Sequence, residues 1–168
     1  MAGDTNDNEC LYGLARQMGE TLAREGLKLV TAESCTGGWM AECVTDVAGS
    51  SDWFERGFVT YSNESKTELL GVAPEIIRQH GAVSEATVEA MAEGALRHSR
   101  AQVVVAISGI AGPSGGTPDK PVGTVWFAWG KLGQACLTRC VRFDGDRRTV
   151  RRGAVAVALR GVLDVCRE

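Results

Sequence analysis

The 168-residue chain is 44% hydrophobic and 23% charged and carries a formal net charge of −3, a balance that fits one globular domain and excludes an extended disordered polymer. Its acidic character argues against a general nucleic-acid binder, which needs a dominant positive field. No apolar run approaches the roughly 20 residues that span a bilayer, so no membrane role is expected.

Residues 1–8, with Asp4, Thr5, Asn6, Asp7 and Asn8 in succession, have neither the basic start nor the apolar stretch of a signal peptide and read as a flexible tail before a single domain over 9–168. The expected compartment is the cytoplasm. From 9 to 25, Leu11, Leu14, Ala15, Met18 and Leu22 recur at helical spacing, with Gly26 as a stop. Residues 27–32 read as a buried strand, 36–47 as a helix ended by Gly49, and 56–61 as a second strand. Asn63 opens a short helix to residue 70, Pro74 opens another closed by Gly81, and Ser84 opens a longer one to about residue 98.

The run Val103-Val104-Val105-Ala106-Ile107 implies a strand buried on both faces and therefore central. Residues 109–123 hold five glycines and three prolines, too many for a regular element, and loops of that length inside domains commonly serve function. Strands over 124–129 and 136–143 follow, joined as a hairpin, and a helix over about 146–166 ends the chain. Helices interleaved with strands, then a strand pair, predict an α/β fold: a three-layer α/β/α single domain with a mixed, mainly parallel sheet.

Three segments carry candidate chemistry. Ser34 stands where a strand turns toward a helix, so free N–H groups and the positive helix end would face an anionic intermediate. A serine needs a base, and His80 and His98, both at helix ends, are explained by the helix dipole. Lys66 is the more attractive base, provided that burial lowers its pKa, and Tyr61 is a candidate proton relay. Read without regard to chemistry, Tyr61 covers the core from its strand and Lys66 is an exposed helix lysine. Cys35 is either a second candidate nucleophile or a small packed thiol, since neighbouring side chains cannot both enter one site. Thr36, Gly37 and Gly38 supply N–H groups for an oxyanion hole or serve as a cap with close packing. The loop from Gly109 through Gly112, Pro113, Gly115 and Gly116 is either an anion cradle or a plain turn; it lacks the G-K-[ST] ending of a Walker loop.

The six cysteines lack C-x-x-C pairing and the two histidines lack H-x-x-x-H spacing, so reduced thiols and no bound metal are expected. Arg147, Arg148, Arg151 and Arg152 share helical spacing and read first as a solvated face, second as a ligand or phosphate contact.

Four motifs in order, Thr31-Ala32-Glu33-Ser34-Cys35-Thr36-Gly37-Gly38, Tyr61-Ser62-Asn63-Glu64-Ser65-Lys66, Gly81-Ala82-Val83-Ser84-Glu85 and Ser108-Gly109-Ile110-Ala111-Gly112-Pro113-Ser114-Gly115-Gly116, closely resemble the CinA C-terminal domain family over nearly the whole chain, as does Phe143-Asp144-Gly145-Asp146-Arg147. The resemblance implies a nicotinamide-nucleotide amidase that converts nicotinamide mononucleotide and water to nicotinate mononucleotide and ammonia, without metal or cofactor, as a homo-oligomer. By motif, Ser34 is then the nucleophile, Lys66 the base and Tyr61 the assisting hydroxyl, with the glycine-rich loop receiving the mononucleotide. Many members carry an additional N-terminal domain, and the chain resembles the stand-alone form. Two other readings stay open: a non-catalytic nucleotide-binding module, and a hydrolase using Cys35.

Overall fold

The computed structural model describes residues 3–167. Six helices and five strands follow in the order α1 (Gly3–Glu25), β1 (Leu29–Glu33), α2 (Trp39–Thr45), β2 (Phe54–Val59), α3 (Asn63–Leu70), α4 (Pro74–His80), α5 (Glu85–Arg97), β3 (Val103–Gly109), β4 (Thr124–Lys131), β5 (Leu137–Arg142) and α6 (Arg147–Arg167). A single 3-10 turn, Ser50–Asp52, precedes β2.

The strands form one sheet in the order β2-β1-β3-β4-β5. β1 runs parallel to both β2 and β3, while β4 and β5 are antiparallel additions at the other side. This is the expected mixed α/β sheet, with the strand of continuous valines at its centre. Alternation along the strands sorts the core into two layers. Leu29, Val103, Val105, Ile107, Phe127 and Trp129 face α1, α2 and α6, whereas Val30, Ala32, Val104, Ala106 and Ala128 face α5 and its neighbours.

Local chemistry explains the helix starts. The Ser62 hydroxyl accepts from Ser65 N–H at 3.0 Å, that of Ser84 from Thr87 N–H at 3.2 Å, and Asp146 Oδ1 from Thr149 N–H at 2.8 Å, each satisfying a donor with no partner inside its helix. Helix α1 begins at Gly3 rather than near residue 9, so most of the polar stretch expected as a tail lies within its first turns; Met1 and Ala2 are outside the described residues. Helix α2 is shorter than the expected 36–47, because glycines at 37 and 38 with φ of 59° and 97° hold the chain in a turn before Trp39. Among the described residues, no helix is long and apolar enough to cross a membrane.

Parallel strands deliver their ends to one edge. The carboxyl ends of β2, β1 and β3 lie side by side, and the segments leaving them are residues 60–62, 34–38 and the glycine-rich loop after Gly109. Crevices outside the carboxyl ends of neighbouring parallel strands are where such sheets build ligand sites.

Candidate active site

Ser34 follows β1 directly and is held there by its own N–H, which donates to Ile107 O on β3 at 2.9 Å. On the other flank, Thr60 N–H donates to Glu33 O at 2.8 Å, bringing the end of β2 against the same turn. Lys66 then reaches Ser34 for a reason internal to its helix. Side chains on a helix lean toward its N-terminus, and Lys66 lies four positions after the cap residue Ser62. Its Nζ therefore folds back over the segment leaving β2, where it meets Thr60 O at 2.8 Å, Tyr61 O at 3.3 Å and Ser62 O at 3.4 Å. The remaining neighbour is Ser34 Oγ, 3.0 Å from Nζ.

Lys66 is only 1% exposed. Burial disfavours the ammonium and lowers its pKa below the ordinary lysine value, with Cys35 and Glu64 opposing the shift. A neutral amine here keeps two N–H groups for carbonyls and offers its lone pair to the serine proton. Cys35 behaves differently: it is 6% exposed, and burial pushes its thiol up to about 12. Burial thus favours the thiol over the thiolate that a cysteine nucleophile needs.

Ser34, Cys35, Tyr61 and Lys66 open onto a cavity of about 270 Å³, whose other walls include Ala82, Val83, Ser108, Gly112, Gly115 and Arg147. The close packing of its floor explains the glycine at 109: a Cβ there would sit 2.7 Å from Val125 Cγ2 and 3.1 Å from both Cys35 Sγ and Thr124 O. Ser108 donates to Ala82 O at 2.7 Å, fixing the wall formed by residues 82 and 83. Arg147 spans the opening, donating to Gly112 O at 2.8 Å and to the Tyr61 hydroxyl at 2.9 Å. Two of its five N–H donors are thus committed among the described residues.

The expected use of the helix start is corrected by Glu33. Its buried carboxylate accepts from Met40 N–H at 2.9 Å and Ala41 N–H at 3.1 Å, so the first donors of α2 are spent on the protein itself. Gly37 N–H is also committed, to Ser34 O at 3.0 Å. The N–H groups of Cys35 and Thr36 donate to no carbonyl among the described residues, leaving the turn, rather than the helix, as the source of donors beside Ser34.

A profile of the CinA C-terminal domain matches residues 11–166. The chain belongs to this family. It is 57% identical over 150 residues to the nicotinamide-nucleotide amidohydrolase PncC of Escherichia coli K12, covering 89% of this chain and 91% of that protein. It is 54% identical over 152 residues to the protein of the same name from Pseudomonas putida, covering 90% and 94%. Among solved structures, the competence/damage inducible protein CihA from Agrobacterium tumefaciens superposes with a TM-score of 0.90 at 43% identity, covering 93% of this chain and 95% of that one.

In this CinA C-terminal domain the residues singled out by motif divide into two groups. Ser34, Cys35, Tyr61, Lys66, Gly109, Gly112 and Gly115 share the cavity. Gly37 and Gly38 instead line a separate cavity of about 430 Å³ beside Trp39 and Arg151, Thr36 is buried, and Pro113 and Gly116 do not line the Ser34 cavity. Tyr61 is 60% exposed, and its hydroxyl meets Arg147 while its backbone carbonyl meets Lys66. Glu33 and Ser108 have no role that the sequence alone assigns, and Arg147 has two open readings, a solvated face first and a ligand or phosphate contact second. Glu33 directly precedes Ser34 and Arg147 belongs to a run of arginines at helical spacing, and only their partners in the fold reveal what they do.

Proposed function

We propose that this chain is a nicotinamide-nucleotide amidohydrolase that hydrolyses nicotinamide mononucleotide through a serine ester, with Lys66 as general base. The names of the Escherichia coli and Pseudomonas putida relatives support the substrate and the reaction. The buried 3.0 Å contact between Lys66 Nζ and Ser34 Oγ, beside a cavity, carries the mechanism.

In this reading the neutral Lys66 amine takes the Ser34 proton as Oγ attacks the carboxamide carbon, and the carbonyl oxygen gains negative charge against N–H groups of the 34–38 turn. The tetrahedral intermediate collapses, the carbon–nitrogen bond breaks, and Lys66 gives its proton to the leaving nitrogen, releasing ammonia. Water then loses a proton to Lys66 while attacking the ester, and the returning proton restores the Ser34 hydroxyl as nicotinate mononucleotide departs. Arg147 faces the cavity mouth and is suited to the substrate phosphate. The same reading takes the chain as a cytoplasmic homo-oligomer working without metal or organic cofactor.

Purified protein is expected to release ammonia from nicotinamide mononucleotide equally with and without a chelator. Ser34→Ala should lose turnover on the order of 10⁴-fold or more, yet still bind the nucleotide in calorimetry. Binding without ammonia release by the wild type would assign a non-catalytic nucleotide-binding module, and full activity of Ser34→Ala would exclude the serine mechanism.

A further inference from the structure

Arg151 lies one helical turn beyond Arg147 on α6, outside the Ser34 cavity, and its guanidinium reaches back to the turn after the nucleophile. Nε donates to Cys35 O at 3.0 Å and Nη2 donates to Thr36 O at 3.0 Å. Its planar fork thus grips two successive carbonyls, a match that a single ammonium cannot reproduce. Trp39 holds the fork in place, with the guanidinium carbon 5.2 Å from the ring centroid.

The consequence follows from peptide geometry. In a trans peptide the C=O and the following N–H point in opposite directions. With Cys35 O bound to Arg151, Thr36 N–H must point away from α6. Ser34 O is held by Gly37 N–H at 3.0 Å, which turns Cys35 N–H away in the same manner. Three consecutive carbonyls, Ser34, Cys35 and Thr36, are therefore all anchored on the protein side, and the N–H groups of Cys35 and Thr36, which donate to no carbonyl among the described residues, form a row of the kind that binds anions. Thr36 O is also held by Trp39 N–H at 3.0 Å, but among the described residues Arg151 alone binds Cys35 O, and without it rotation of the Cys35–Thr36 peptide would present a carbonyl oxygen in place of a donor.

We propose that Arg151 is a positioning residue for catalysis: by clamping the Cys35 and Thr36 carbonyls it keeps the N–H groups after Ser34 turned toward the developing oxyanion. This rests on the acyl-transfer reading above. It predicts an effect on the rate of the bound substrate rather than on its binding, because Arg151 does not line the Ser34 cavity.

The test pairs kinetics with structure, using the full chain and the variants Arg151→Ala and Arg151→Lys. For ammonia release from nicotinamide mononucleotide, Arg151→Ala is expected to lower kcat about 10²-fold, the effect of one lost oxyanion donor, with KM changed less than about 3-fold. Arg151→Lys should recover part of the loss, since lysine can hold one carbonyl but not both. Thermal unfolding midpoints above the assay temperature for both variants exclude loss through unfolding. A crystal structure of Arg151→Ala should show the Cys35–Thr36 peptide rotated. An unchanged kcat, or a loss expressed only in KM, overturns the proposal, as does an unrotated peptide in the variant. Should the wild type release no ammonia, the amidohydrolase reading fails, and the peptide orientation in the variant still decides whether Arg151 positions the turn.

Discussion

Glu33→Gln isolates the carboxylate that ties the turn of Ser34 to helix α2. Glu33 is fully buried, and its two oxygens separately accept Met40 N–H at 2.9 Å and Ala41 N–H at 3.1 Å. Glutamine has nearly the same shape, so packing is preserved, but its amide oxygen can serve only one of these donors while its NH₂ group confronts the other. Losing a hydrogen bond to a charged acceptor costs about 1.5–3 kcal/mol, and removing negative charge from a helix start adds about 0.3–1 kcal/mol. A total near 3 kcal/mol corresponds, in a domain of this size, to a fall of about 6–12 °C in Tm. Ammonia release, measured below both midpoints, should fall about 10–100-fold, because Ser34 adjoins Glu33 and small misplacements of reacting groups are expensive. Glu42→Gln is the matched control: it removes an exposed acidic charge from the first turn of the same helix without touching a hydrogen bond to the helix N–H groups, and should cost only the dipole contribution of about 0.3–1 kcal/mol. A Tm change under about 2 °C for Glu33→Gln, or equal changes in the two variants, would refute the capping argument.

Three further outcomes follow from the same geometry. Lys66→Met should reduce turnover about 10²–10⁴-fold, and its stability relative to wild type should decline as pH rises. Below the lowered folded pKa of Lys66 both native and unfolded chains are protonated and the native state bears the full penalty of a buried ammonium; between that value and the ordinary value of about 10.4 only the unfolded chain binds the proton, so wild-type stability climbs with pH. Paired Tm measurements across pH check this, and wild-type kcat/KM should rise through the same lowered pKa. Cys35→Ala should keep activity within about 3-fold and iodoacetamide should leave the wild type active at neutral pH, because the buried thiol ionises only near 12. Gly94→Ala should destabilise by about 3 kcal/mol in denaturant titration, since its Cβ would stand 1.9 Å from Leu70 O at the end of the helix that carries Lys66.

What the sequence determined is local. Ser62 and Ser84 announce α3 and α5 because a hydroxyl at the cap needs only an N–H three residues on, and the valine run of β3 announces its central place because only a strand covered on both faces can afford it. The motifs named Ser34 and Lys66 as well, but their meeting is a tertiary event. It requires β1 and β2 to run parallel, so that both carboxyl ends reach one edge, and it requires the side chain of Lys66 to lean back along α3.

The tertiary structure alone decided the partners of charged groups. A carboxylate beside a candidate nucleophile suggests chemistry when read along the chain, yet Glu33 commits both oxygens to α2 and so occupies the first donors of that helix. Likewise, four arginines at helical spacing look alike as letters. Folding sends Arg147 to the cavity mouth and Arg151 to carbonyls 115 and 116 residues away. Spacing within a helix tells which residues share a face; it carries no information about which distant backbone that face will meet, because that is set by the packing of α6 against the sheet and the turns at its edge.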